Sequence, residues 1–275
     1  MSVSVIMPCR GEFGLMLRYH VPIVHALPGT KVVCHEAGSE ALYPSAARRI
    51  AVPRPEDDAR RGMRPRGDAA FQCELERVAR QRYPGATIVR TKVGMPEKRF
   101  LPEPFEHQKY LTRADVVLCP RARGYGAAKN WDGYRPLVAR VKAMGLRPFA
   151  AGAPDSSMEI GCQAAWHRNR FLDASIQAMR MARLVVATDA GLAHLAVLCG
   201  APLLLITFNG LVAPGPVLDP KGREMEPAYW PVRLEEYYQV ANHTNAPLWV
   251  SHAWGNPGEV EREMTAILEG MGGKG

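Results

Sequence analysis

Thr188-Asp189-Ala190-Gly191-Leu192-Ala193-His194-Leu195-Ala196, with Gly200-Ala201-Pro202 behind it, has the form of a turn that opens a helix. Leu184 to Ala187 ahead of it is a short apolar run with β-branched residues, the pattern of a buried strand. Leu192, Leu195, Ala196 and Cys199 recur at helical spacing, which predicts a helix from near Gly191 to Gly200. Leu203 to Thr207 is a second apolar run of strand length. Strand, tight turn, helix and strand make a βαβ unit, whose helix begins at the carboxyl edge of a sheet. First-turn amides lack intrahelical acceptors and the helix dipole is positive there, so this point suits a phosphate.

The chain alternates in the same way around this unit. Val116 to Cys119 and Arg147 to Ala151 read as strands, and Tyr134 to Met144 as a helix closed by Gly145. The spacing predicts further helices over 158–166, 174–183 and 258–268, and residues 209–230 read as a long proline-bearing loop. In the first half, strands are expected over 3–7, 31–35 and 87–90. Helical segments are expected over 15–27, where Pro22 is an irregularity, over 39–43 and over 69–82. Arg48 to Gly67 is different: seven arginines are interspersed with prolines and show little apolar periodicity, which reads as a mobile basic loop. Both halves begin with strand, loop, helix and strand. That predicts an α/β protein of two facing Rossmann-like domains, 1–110 and 111–275, with a linker over 104–112.

An apolar fraction of 47% supports such cores, and the formal net charge of +8 suits an anionic partner: nucleotide, nucleic acid or anionic membrane surface. A merely basic, solvated surface fits the charge equally well. The six cysteines stand singly, several in apolar runs, as small core residues in a reducing compartment do. The N-terminus has no charged-then-apolar leader, and the most apolar stretch, 192–208, is broken by His194, Gly200 and Pro202. These features lead us to expect a cytoplasmic protein without a transmembrane segment. There is no Asp-x-Asp pair in a loop position, Asp57-Asp58 reads as a solvated counter-charge, and the P-loop pattern is absent, so neither a metal nor a cofactor is expected.

Val117-Leu118-Cys119-Pro120 with Lys129-Asn130-Trp131, Gly145-Leu146-Arg147 with Gly152-Ala153-Pro154-Asp155, and the Thr188 to His194 element with Gly200-Ala201-Pro202 form three blocks over about residues 113–207. Together they resemble the glycosyltransferase family that contains the lipopolysaccharide heptosyltransferases. The third is similar to the family's diphosphate-binding Asp-Ser/Thr-Gly-x-x-His element, with Ala190 where the family has a hydroxyl residue. Gly11-Glu12 falls where the family carries a Gly-Asp whose carboxylate is the base. The resemblance implies the GT-B architecture, an acceptor side in the first half, and a nucleotide-sugar site in the second. It implies inverting transfer from a nucleotide-diphosphate sugar, as co-substrate, to an acceptor hydroxyl, without a bound metal.

Such a transfer needs a base for the acceptor and stabilisation for the departing diphosphate. Glu12, between two glycines at a strand end, is the candidate general base. Lys129, helped by Arg121 and Arg123, is the candidate cation for the diphosphate, together with Ala190, Gly191 and His194 at the helix start. Asp155 is placed on the nucleoside, where it could equally cap a helix. Asp189 reads as the helix N-cap or loop organiser rather than a ligand. Trp131 reads as a packing residue. Arg60, Arg61, Arg64 and Arg66 are assigned to an anionic acceptor, either a lipopolysaccharide core-like glycan or a hydroxylated base in nucleic acid. A sugar-nucleotide epimerase or hydrolase, or a non-catalytic nucleotide-binding relative, would use the same architecture.

Overall fold

The computed structural model describes residues 2–8, 17, 20–36, 39–44, 46–52, 68–90, 113–123, 127–168, 170–207 and 246–272. Glu12, the arginines at 54, 60, 61, 64 and 66, Gly124 to Gly126, the expected linker and the long loop over 209–230 lie outside the described residues.

Two parallel sheets organise the chain. The first holds β1 (Val3–Ile6), β2 (Thr30–Glu36), β3 (Arg48–Val52) and β4 (Thr87–Val89) in the order β3-β2-β1-β4. The second holds β5 (Val116–Cys119), β6 (Pro148–Ala150), β7 (Gln163–Ala164), β8 (Leu184–Thr188), β9 (Leu203–Ile206) and β10 (Leu248–Ser251) in the order β10-β9-β8-β5-β6-β7. Counted from β5, this is the 3-2-1-4-5-6 order of the doubly wound nucleotide-binding fold, with β5 and β8 adjacent at the switch point.

The helices are α1 (Val21–Ala26), α2 (Asp68–Arg82), α3 (Tyr134–Ala143), α4 (Phe171–Met181), α5 (Gly191–Leu198) and α6 (Pro257–Gly272). The central strands β5, β8 and β9 are covered on both faces, which explains their nearly unbroken apolar runs. Val116, Leu118, Leu184, Val186, Leu204 and Ile206 face α3 and α6, where Leu137, Val141, Val260 and Met264 cover them. The alternate residues Val117, Cys119, Val185, Ala187, Leu203 and Leu205 pack with α4 and α5 residues such as Ile176, Met179 and Leu195. The first sheet divides likewise: Ile6 and Val33 share a cluster with Val21 and Val24 of α1, and Val5, Met7, Val32 and Cys34 share one with Ala79 of α2.

Local chemistry sets the element ends. Gly145, at φ +72°, and Gly200, at φ +70°, follow the last turns of α3 and α5 in left-handed conformation. Gly145 donates to Lys142 O and Leu146 to Val141 O; Gly200 donates to Val197 O and Ala201 to Ala196 O. Both are Schellman closures, in which the last carbonyls are satisfied without solvent. Pro22 sits in the first turn of α1, where its missing N–H costs no helix bond.

Three sequence expectations are corrected. Arg48 to Val52 is an edge strand and not the start of a loop: its backbone pairs with β2, and Arg49 donates to the carbonyls of Tyr43 and Pro44, each at 2.8 Å. An edge strand needs backbone pairing more than apolar side chains, and charge is common there. The helix expected over 158–166 is absent. Met158 N–H donates to Pro120 O, Arg121 and Ser157 form an antiparallel bridge, and Gln163–Ala164 pairs with β6, so neighbouring loops and strands take that backbone. The final helix is longer than expected, and β10 lies just before it.

Candidate functional site

The carboxyl ends of β5 and β8 form the crevice in which ligands of doubly wound sheets bind. The loop after β5 passes through Pro120, Arg121 and Arg123 to a short 3-10 turn, Ala127–Lys129. The turn after β8 carries Asp189 and Ala190 into α5. Lys129 Nζ donates to Asp189 Oδ2 at 2.8 Å, joining these two loops across the switch point. Both side chains are partly exposed, at 37% and 24%.

Asp189 is therefore not the helix cap. Ala190 holds that position, in extended conformation and without a side-chain cap bond. The carboxylate instead takes the Lys129 ammonium, so that both partners of the bond are charged. Ala193 N–H donates to Ala190 O at 3.0 Å, so Gly191 and Leu192 supply the first-turn amides that lack an intrahelical acceptor. His194 follows in the same turn, and its ring is buried at 8% exposure.

Asn130 holds the β5 loop in shape, a role the sequence did not suggest. Its Oδ1 accepts from the Arg121 guanidinium and from Arg123 N–H at 3.1 Å, and its Nδ2 donates to Arg123 O at 2.9 Å. Arg121 is itself buried, at 9% exposure, so its charge sits under the loop rather than waving above it. A third strand end is tied in: Ala122 N–H donates to Ser156 O, linking the loops after β5 and β6. Asp155 lies beside that link on the same edge, in a turn, exposed. It opens no helix, so its alternative as a cap is removed.

Trp131 packs beneath the loop at 2% exposure, donates from Nε1 to Trp254 O at 2.8 Å, and meets Tyr134 edge-to-face at 4.9 Å. A Cβ at Gly133 would lie 2.2 Å from its ring, so only glycine fits there. Tyr134 and Thr188 lie below the crevice, fully buried. Their hydroxyls approach each other, yet neither reaches acceptable hydrogen-bond geometry with any partner among the described residues. Burial pushes the Tyr134 phenol far above its ordinary value, the Cys119 thiol adds to this, and Thr188 and Arg121 partly oppose it. The phenol is therefore neutral.

The structure thus brings Arg121, Arg123, Lys129, Asp189, Ala190, Gly191 and His194 to one edge of one sheet, with Asp155 in the turn after the neighbouring strand β6. Among the described residues no group of three or more His, Cys, Asp or Glu side chains could hold a metal. No described helix is long and apolar enough to cross a membrane.

No family model matches the sequence, and no curated protein sequence does. The fold itself is that of heptosyltransferase-type glycosyltransferases. The chain is similar over 98% of its length to 99% of ADP-heptose lipopolysaccharide heptosyltransferase II from E. coli, at a TM-score of 0.55 and 15% identity. E. coli heptosyltransferase WaaC with ADP is similar over 96% of this chain and 99% of its own, at 0.50 and 14%. A family 9 glycosyl transferase from Veillonella parvula is similar over 95% and 89%, at 0.50 and 11%. At these identities the likeness is one of fold.

Proposed function

We propose that the protein is a cytoplasmic, metal-independent, inverting glycosyltransferase, in which two Rossmann-like domains face each other across a cleft. It moves a sugar from a nucleotide-diphosphate sugar to a hydroxyl of an anionic acceptor, either a lipopolysaccharide core-like glycan or a hydroxylated base in nucleic acid. The observation that carries this reading is the Lys129–Asp189 pair at the switch point, beside the open first turn of α5. Fold similarity to glycosyltransferases, one of them described with ADP, supports a nucleoside diphosphate as the leaving group.

In this reading the diphosphate lies against the Gly191 and Leu192 amides, where helix dipole and unpaired N–H groups favour an anion. Lys129 and His194 add charge or hydrogen bonds, with Arg121 and Arg123 behind them. Asp189 aims Lys129 and leaves its other two ammonium protons for phosphate oxygens. Asp155 takes ribose hydroxyls. The acceptor oxygen attacks the anomeric carbon from the face opposite the diphosphate, and Glu12 takes the hydroxyl proton. The bond to the diphosphate oxygen breaks, the developing charge is held at the helix start, and configuration inverts. Arg60, Arg61, Arg64 and Arg66 grip the acceptor's negative groups, and the net charge of +8 suits peripheral contact with an anionic membrane.

The test is a thermal-shift and turnover screen of the full chain against nucleoside diphosphates and nucleotide sugars, with mass-spectrometric detection of a glycosylated acceptor. Stabilisation by a nucleoside diphosphate together with sugar transfer is the expected result. Conversion of the donor without any acceptor would point to an epimerase or hydrolase, and binding without turnover to a non-catalytic relative.

A further inference from the structure

A cavity opens at the amino-terminal edge of the second sheet, at the opposite end of the strands from Lys129 and Asp189. Its volume is about 380 Å³, and Arg113, Lys142 and Arg147 line it together with Leu146, Pro148 and Cys162. It is an open groove, and the Arg113 and Arg147 side chains keep 61% and 55% of their surface in solvent. Asp115, immediately before β5 and buried, organises the cations. Its Oδ1 lies 3.5 Å from Arg113 Nε; its Oδ2 lies 3.3 Å from Arg147 Nε and accepts Arg147 N–H at 3.0 Å. The shortest contact of each guanidinium with the carboxylate is through Nε. Lys142 donates to Gly161 O at 2.8 Å, which uses one of its three protons.

The charge balance is uneven. Three cations, Arg113, Lys142 and Arg147, line the opening; the Asp115 carboxylate faces the two arginines, and the Glu159 carboxylate, which meets His167, is near enough to act on Cys162. Burial pushes the Cys162 thiol up to about 11, with Glu159 adding to the rise and Lys142 opposing it, so at neutral pH the thiol brings no negative charge. Leu146 and Pro148 give the cavity an apolar side. Guanidinium forks match the oxygens of a phosphate in geometry, which a bare lysine does not.

We propose that this cavity binds a phosphomonoester dianion, with Arg113, Lys142 and Arg147 on the phosphate and the carbon body against Leu146 and Pro148. The assignment does not depend on the glycosyltransferase reading, because no residue of the crevice between β5 and β8 lines the cavity. The same chemistry occurs in soluble sugar phosphates and in the headgroup of phosphatidic acid.

Cys162 is a built-in reporter. Its rate of modification by N-ethylmaleimide is followed by peptide mass in the intact protein, with the exposed Cys73 as the internal reference. Glucose 6-phosphate should slow Cys162 about tenfold at a concentration near ten times its Kd, and leave Cys73 unchanged. Glucose should give no protection. The double variant Arg113→Gln, Lys142→Gln should lose the protection at unchanged Tm, and Lys129→Ala should keep it. Calorimetry of glucose 6-phosphate binding to the same proteins repeats the comparison without a thiol reagent. Co-sedimentation with phosphatidylcholine vesicles, with and without phosphatidic acid, is the second arm. Variant-sensitive sedimentation identifies a lipid headgroup as the source, and protection by the soluble ester alone identifies a free metabolite. Absence of both overturns the site, as does equal binding by the double variant.

Discussion

Lys129 and Asp189 stand 60 residues apart in sequence and meet at 2.8 Å across the switch point of the second sheet. The pair fastens the loop after β5 to the turn that begins α5, and both side chains keep part of their surface in solvent. An exposed pair of this kind contributes only about 0–1 kcal/mol to stability, so its geometry matters more than its energy. It fixes where the Lys129 ammonium stands beside the first turn of α5.

Lys129→Ala should weaken nucleoside-diphosphate binding by about 1.5–3 kcal/mol, the worth of a charge-assisted hydrogen bond. Asp189→Asn should change stability by less than about 1 kcal/mol and weaken the same binding through a misplaced lysine. Calorimetric titration with ADP is the check. An unchanged Kd in Lys129→Ala would remove the lysine from the site.

Glu12→Gln preserves shape and removes the base. Turnover should fall about 10²–10⁴-fold while donor affinity holds. Steady-state kinetics beside equilibrium binding separates the two, and a loss of donor affinity equal to the loss of turnover would place Glu12 elsewhere. Transfer should also persist in excess chelator.

Acceptor affinity should depend on salt through the arginine-rich segment. A nucleic-acid acceptor would give a log K against log salt slope of about −0.9 per neutralised phosphate on duplex DNA, and a core glycan with few phosphates a shallower one. Changing Arg60, Arg61, Arg64 and Arg66 to Ser should lower both affinity and slope. Equal values for the two proteins would show that the segment takes no part.

Tyr134→Phe removes a buried hydroxyl that has no well-formed hydrogen bond, so stability should change by less than about 1 kcal/mol or rise. Trp131→Phe removes the bond from Trp131 Nε1 to the Trp254 carbonyl and should cost about 1–3 kcal/mol. Denaturant unfolding of both variants tests the contrast. A large loss in Tyr134→Phe would mean that the hydroxyl is satisfied after all.

Stability should fall as pH drops from 6.5 towards 4. His20 is wholly buried, edge-on to Tyr43, and burial lowers its pKa from 6.5 to about 4. In that window the unfolded chain takes up a proton that the folded one refuses, which favours unfolding by up to about 3 kcal/mol. Above pH 6.5 the imidazole is neutral in both states and the contribution is complete. His25 is lowered chiefly by burial as well, with Lys31 adding to this and the Leu42 carbonyl opposing it, so it acts in the same direction. Melting temperature against pH should show the slope, and His20→Leu should flatten it; an equally steep slope in the variant would assign the effect to other groups.

Where a segment's own residues settled its form, the sequence was readable. Leu184 to Thr188 and Leu203 to Ile206 are apolar at every position but the last of β8, because helices cover both faces. Gly145 and Gly200 mark helix ends because both sit in left-handed conformation. The turn chemistry and the family blocks together nominated Lys129, Gly191 and His194, and the structure sets them at one edge of the second sheet. Segments that depend on a partner were not. β3 is an arginine-bearing strand held by pairing with β2, and β7 is two residues held by β6. Asn130 looked like one more polar loop residue, since its three bonds go to backbone and side-chain groups seven and nine positions back.

The sequence by itself determined the alternation of strand and helix, the two-faced burial of the second sheet and the stop of each central helix. All of these follow from local periodicity and from glycine at positive φ. Tertiary structure alone decided the strand order, and so which loops share an edge: β5 neighbours β8 although two strands and two helices lie between them in the chain. It also decided what Asp189 does. A carboxylate before a helix can bond the amides of its own first turn or a cation brought from elsewhere, and the choice depends on whether a cation is within reach. Here the loop after β5 sets Lys129 beside it, the carboxylate bonds the ammonium, and Ala190 stands at the start of α5 in its place.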